Sequence, residues 1–335
     1  MTPRERVIAA YEHRQPDRCP WQIGLTIPAR EKLEGEFGDG LAAALGNHLA
    51  NWSHEPPSTW TEPRPDYWRD EFGVLWDRTV DKDIGVPVEP LIKEPTAKAL
   101  DACEFPSTRG ARWDGFGEWV EANPDLFRVC DLGFSLYERA WTLRGMANLM
   151  MDMIDAPEFV DDLLDRICEW NLGIVDGFLE QPIDCVHFGD DWGQQFGLQM
   201  GPAHWRRFIK PRQERMYAKV REAGLHTSQH SCGDVKEIFS DLIEIGLQCF
   251  NPFQPEVMDV REMKRLHGDK LVFYGGVSTQ RTLPYGSPAD VKAEVAMLMK
   301  EVGAGGGYIC SPAHDTPGDV PLENLVALVE AVHEQ

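Results

Sequence analysis

The stretch Leu225–Asp234, LHTSQHSCGD, reads as a short strand running into a turn, and the apolar-periodic helix Val235–Ile245 follows directly. Side chains alternate faces along a strand, so His226, Ser228, His230 and Cys232 fall on one side. Gly233 supplies the sharp turn between strand and helix. This is one strand–helix repeat, and folds made of such repeats build their sites where strands end. His230 and Cys232 carry imidazole and thiolate, the ligand types zinc prefers. Taken alone, His-x-Cys is more often a packed cysteine beside a hydrogen-bonded histidine. Its meaning rests on a third ligand and on the fold.

Working outward, apolar strand segments recur at Phe127–Asp131, Cys185–Gly189, His226–His230, Leu247–Asn251, Leu271–Gly275 and Tyr308–Ser311. Amphipathic helices at Pro157–Leu179, Pro202–Ala223, Val235–Ile245 and Pro288–Glu301 separate most of them, with a shorter one at Met258–Leu266. Helix starts such as Ser287-Pro288-Ala289-Asp290 carry a cap signal. Before this regular part, Pro3–Arg14 and Pro28–Phe37 read as helices and Asp17–Ile23 as a strand. Strand–helix alternation predicts a parallel sheet. A strand near Cys19 and another between Val74 and Val88 bring the count to eight.

The predicted fold is therefore α/β, an eight-stranded (β/α)8 TIM barrel with an N-terminal insertion, formed by residues 1–335 as a single domain. The insertion, residues 38–117, is irregular and rich in aromatics and proline. It is expected near the barrel mouth, packing locally or acting as a lid. An open doubly wound sheet is the alternative. No glycine-rich dinucleotide or P-loop fingerprint follows a strand, which weakens that alternative's nucleotide-binding forms.

Composition narrows the partners. A chain of 335 residues with net charge −22 disfavours nucleic acid and anionic membrane as partners. No apolar run reaches the roughly 20 residues of a membrane span. The charged start MTPRERVIAAYEHRQPDR lacks a signal peptide's apolar core, so a cytoplasmic location is expected. The eight cysteines show no framework spacing, consistent with reduced thiols.

The strand ends gather chemistry on one rim. They offer Asp190 and Asp191 in FGDDWGQQ, His230 and Cys232, Asn251 and Gln254 in FNPFQPE, Tyr274 in FYGGVS, and His314 and Asp315 in SPAHD. Asp190, Asp191 and Tyr274 are the candidate catalytic groups; Ser135, Trp192, Asn251 and Gln254 are assigned to substrate contact. Each has a plainer alternative as a turn cap or core residue. For the third metal ligand, softness favours Cys310 and loop position favours His314. His230, Cys232 and His314 are the preferred set, with Cys310 as the alternative.

Four stretches carry a family resemblance: GFSLYERAWTLRGMANLM, HSCGDVKEIFSDLIEIG, LVFYGGVSTQRTLPYGSPADV and GGGYICSPAHDTPGDVPLENL. They resemble the uroporphyrinogen decarboxylase superfamily, which includes cobalamin-dependent methyltransferases, across most of Asp17–Val332 and more weakly before residue 120. The resemblance implies a β/α barrel. Its methyltransferase branch holds zinc on an H-x-C pair plus a distal cysteine. His230 and Cys232 match the pair, whereas His314 stands where those enzymes have cysteine. The true decarboxylases lack the pair and carry an arginine-rich segment, of which WQIGLTIPAR retains only Arg30. Loss of that basic cluster makes a multiply carboxylated tetrapyrrole a poor substrate.

The implied activity is zinc-dependent methyl transfer between a small-molecule donor or thiol acceptor and a corrinoid. The corrinoid is expected on a separate partner protein, and a homodimer is an open option. A metal-independent decarboxylase or lyase acting on a non-porphyrin substrate is the alternative.

Overall fold

In a computed structural model, which describes residues 1–55 and 59–335, thirteen strands form three sheets among the described residues. The central sheet holds β1 (Leu49–Ser53), β6 (Phe127–Leu132), β7 (Cys185–Gly189), β10 (His226–His230), β11 (Cys249–Phe253), β12 (Val272–Val277) and β13 (Tyr308–Pro312), in that spatial order. Every neighbouring pair is parallel. Helices connect successive strands, among them Pro157–Phe178, Lys210–Glu222 and Pro288–Met297. The expected cap on the last is present as a reciprocal Ser287–Asp290 box.

The sheet curls until the segment around Trp21 joins its two edges. Trp21 bridges Cys310 of β13 in parallel register, and Gln22 N–H donates to the Cys310 carbonyl at 3.0 Å. On the other flank His48 N–H donates to the Trp21 carbonyl at 3.1 Å, beside β1. Pro20 has no N–H, and side chains replace part of the ladder. The Gln22 amide oxygen accepts from Leu49 N–H, and that of Asn47 from Ile23 N–H. Proline and these side-chain bonds explain why the segment is bridged without being a regular strand.

One expected strand is misplaced. The stretch between Val74 and Val88 does not enter the central sheet. It supplies β4 (Leu75–Asp77) and β5 (Val86–Pro87), which join β2 (Thr61–Arg64) and β3 (Tyr67–Arg69) in a separate antiparallel sheet. The central strand is β1, inside the 38–117 stretch. Its polar Asn51 lines an internal cavity, which hides the apolar pattern of a buried strand.

The antiparallel sheet is tied down through buried Asp70. This carboxylate accepts from Phe72 N–H, Val74 N–H and the Trp76 indole, and pairs with Arg139 at 2.8 Å. Arg139 belongs to the helix Tyr137–Arg144, so the antiparallel sheet is fastened to that helix.

Inside the curl the side chains form layers. The helix Pro3–Tyr11 closes the end where the strands begin. Val7, Phe127, Val129, Cys185, Cys249, Val272 and Ile309 fill an apolar plug there. His226 packs on Tyr11 at 4.4 Å, Ser228 lies one step higher, and His230 is at the rim. These three share one face, as strand alternation requires.

Candidate active site

His230, Cys232 and His314 each place a ligand atom within 4.8 Å of the others. His230 ends β10, Cys232 lies in the turn after it, and His314 lies in the loop after β13. Cys232 Sγ is 3.4 Å from His230 Nε2, and the rings of His230 and His314 are 5.7 Å apart. Donors ~2.0–2.3 Å from one tetrahedral ion stand roughly 3.3–3.8 Å from one another, so the sulfur and nitrogen are already at such a spacing.

The tautomer of His230 suits a ligand. Its Nδ1 is 2.6 Å from the Asn251 amide oxygen, while the Asn251 NH2 group donates to the Tyr274 carbonyl at 3.2 Å. With the NH2 group engaged, the amide oxygen faces His230 and accepts its Nδ1–H. Nε2 then turns an unprotonated lone pair toward Cys232. Burial raises the Cys232 thiol and the adjacent His314 opposes this; His314 in turn is raised by its hydrogen bond to Cys232. One imidazole lone pair, one thiol and a second imidazole form a donor set that fits zinc and leaves a fourth position open.

Cys310 is not part of this group. It is fully buried within β13, next to Tyr308 and Cys19, and burial pushes its thiol up to about 12. Another close cluster, His54, Glu55 and Glu71, does not suit a metal. Glu55 pairs with Arg139 and Glu71 with Arg112, so its carboxylates already have cations.

The two adjacent aspartates separate. Asp191 faces the triad: its carboxylate accepts from Cys232 N–H at 2.8 Å and lies 3.6 Å from His230 Nε2. Asp190 is completely buried. It accepts from Leu136, Tyr137 and Glu138 N–H and from the Trp192 indole at 2.6 Å. It thereby caps the helix Tyr137–Arg144, a structural setting distinct from the catalytic role expected of it. Burial raises its carboxyl to about 6, against the pull of those donors.

Trp192 and Ser135, expected at the substrate, sit at buried positions. Trp192 is fully buried against Trp205 at 5.4 Å. Ser135 is fully buried, its carbonyl accepting from Asn171. Asn251 serves the triad by orienting His230. Gln254 accepts from Gly233 N–H at 3.1 Å and so holds the turn that carries Cys232.

The triad stands between two spaces. An outer groove of about 390 Å³ is lined by Cys232, Gln254, Gln280, His314 and Asp315. An inner cavity of about 280 Å³ lies within the curl, with Asn51, Asp131, His187, Ser228, Asn251 and Tyr274 as its polar lining and His230 at its upper edge. Tyr274 therefore faces this cavity.

Asp131, His187 and Glu138 are additions that the sequence reading did not single out. Burial drives the Asp131 carboxyl up to about 8, with Asp315 adding to the rise. Burial lowers His187 to about 3, and its Nδ1 is 2.8 Å from the Ser228 hydroxyl. Glu138 is raised by burial and by Asp191. The signal for His187 was available, since Cys185 and His187 share the inward face of β7.

A family model described as uroporphyrinogen decarboxylase (URO-D) matches residues 137–335. The methylcobamide:CoM methyltransferase MtaA of Methanosarcina barkeri is 26% identical over 202 residues, which cover 57% of this chain and 57% of that protein. A uroporphyrinogen decarboxylase of Chlorobium luteolum is 24% identical over 221 residues, 62% of this chain and 60% of the relative. The matches thus span 57% and 60% of the length of these two relatives. A solved methyltransferase from Methanosarcina mazei shares the fold, with a TM-score of 0.75 at 19% identity, over 100% of this chain and 99% of that one.

Proposed function

Because this chain belongs to the uroporphyrinogen decarboxylase family, we propose that it is a zinc-dependent methyltransferase working with a corrinoid carried on a separate protein. The curled seven-stranded sheet, joined edge to edge by the Trp21 segment, is read as the (β/α)8 barrel of that family. The observation that carries the functional reading is the convergence of His230, Cys232 and His314 within 4.8 Å at the ends of two strands. The resemblance to a methylcobamide:CoM methyltransferase supports it.

Bound by these three residues, zinc would supply Lewis acidity that activates a thiol acceptor or polarises a methyl ether at neutral pH. The rest is work for the chain's own groups. Asn251 keeps the Nδ1 proton on His230 and so keeps Nε2 available. Asp191 fixes the Cys232 backbone and stands close enough to the triad to take the proton released by an incoming thiol. Protonated Asp131 and the Tyr274 hydroxyl offer hydrogen bonds to a small molecule in the inner cavity. The open outer groove is where the partner's corrinoid would approach.

A metal-independent decarboxylase is the second reading, favoured by one feature. Asp131, with its carboxyl raised to about 8, is a buried proton donor. Against a tetrapyrrole substrate stands the lining of both spaces, which contains no lysine or arginine among the described residues.

The deciding experiment incubates zinc-reconstituted protein with methylcobalamin and thiols and follows loss of the methyl–cobalt absorbance. Demethylation that requires zinc and disappears in Cys232→Ser supports the proposal. Equal rates from metal-free protein and Cys232→Ser would refute it.

A further inference from the structure

We propose that the small molecule handled beside the triad carries no carboxylate, sulfonate or phosphate: it is an uncharged thiol or methyl ether seated in the inner cavity. The inference deepens the zinc methyltransferase reading and rests on it. The cavity can receive an occupant at His230, because Asn51, Asp131, His187, Ser228, Asn251 and Tyr274 surround about 280 Å³ directly below that residue. Its lower end is closed by Tyr11 and Leu49. These groups are hydroxyls, amides, an imidazole and a carboxyl, able to donate and accept hydrogen bonds to a neutral polar molecule.

They cannot neutralise an anion. No lysine or arginine lines the inner cavity or the outer groove among the described residues, whereas Asp131 lines one and Asp315 the other. Two buried arginines that fasten the antiparallel sheet are already committed, and Arg281, next to groove-lining Gln280, is exposed and donates to the Pro255 carbonyl at 3.3 Å. Arg139 pairs with Asp70 and Glu55, and Arg112 with Glu71. Zinc held by Cys232 as thiolate and by an incoming thiolate would carry no net charge, so a second anionic group taken from water into this space would lose its hydration without a counter-charge, a cost of several-fold to many-fold in affinity. A hydroxyl in the same place finds partners.

The test loads the full chain with cobalt(II) in place of zinc and titrates two thiols of similar length, 2-mercaptoethanol and 2-mercaptoethanesulfonate. Binding is read from the change in the visible ligand-field and near-ultraviolet sulfur-to-cobalt bands. The expected result is at least tenfold tighter binding of the neutral thiol. In Asn51→Lys, which places an ammonium in the cavity, the gap is expected to shrink to about threefold or less.

Protein that takes up cobalt and binds the sulfonate as tightly as the neutral thiol would overturn this inference and leave the metal site standing. An unchanged gap in cobalt-loaded Asn51→Lys would also overturn it. Protein that takes up no cobalt would overturn the zinc reading, and this inference with it.

Discussion

Replacing Asn251 by alanine leaves all three candidate ligands in place and removes only the group that sets the proton on one of them. In the native arrangement the Asn251 amide oxygen holds His230 Nδ1–H at 2.6 Å, and its NH2 group is anchored on the Tyr274 carbonyl at 3.2 Å. Without it, His230 can put its proton on Nε2, the atom that faces Cys232, and the ring can rotate. Loss of such an outer hydrogen bond typically weakens metal binding 10- to 100-fold, roughly 1.4–2.7 kcal/mol. Asn251→Ala should therefore bind zinc about 10- to 100-fold more weakly in competition with a chromophoric chelator. Asn251→Asp keeps an acceptor opposite Nδ1 and should stay within about threefold of the parent. The thermal midpoint of each metal-free variant separates ligand orientation from misfolding. Equal zinc affinity in Asn251→Ala and the parent would refute the argument that the tautomer is set here.

Three further outcomes follow from other residues. Asp190→Ala strands four buried donors and should lower stability by about 3–5 kcal/mol, seen as a large fall in the denaturant midpoint, whereas Asp191→Ala should cost less than about 1 kcal/mol; similar losses would contradict their division of labour. Cys310→Ala should leave zinc stoichiometry intact while Cys232→Ser loses it, and zinc loss in Cys310→Ala would restore Cys310 as a ligand. Asp131→Asn should stabilise the metal-free protein at pH 9 and do little at pH 4. Its folded-state carboxyl, near 8, lies above the ordinary value of 3.8, so its burial costs stability as pH rises from about 4 through 8. About four pH units at ~1.4 kcal/mol each set an upper limit of roughly 5–6 kcal/mol on the effect. Thermal midpoints that shift equally at both pH values would count against this.

Strand positions were legible where inward residues are apolar or strongly periodic, as in Phe127–Asp131 and Cys185–Gly189. They were not legible at β1, whose inward Asn51 faces a polar cavity, nor around Trp21, where Pro20 and amide side chains interrupt the ladder. His230, Cys232 and His314 could be read because strand alternation and loop position bring them to one end of the sheet. The same logic favoured His314 over Cys310, and the two residues do lie apart, one in the loop and the other sealed in β13. Asp190 and Asp191 could not be told apart. Which of two adjacent carboxylates turns inward depends on a helix that begins at Tyr137, more than fifty residues earlier in the chain. Asp131 and Glu138 acquire their protonation from burial and from neighbours distant in sequence, so no local pattern announces them.

The central claim is a zinc site made by two imidazoles and one thiolate. Zinc-edge X-ray absorption on purified protein, with metal content measured on the same sample, tests it most directly. About one equivalent of zinc is expected, with one sulfur near ~2.3 Å, two imidazole nitrogens near ~2.0 Å and the remaining position held by a light atom. Two sulfur ligands, or less than about a tenth of an equivalent of zinc after growth in zinc-replete medium, would contradict it.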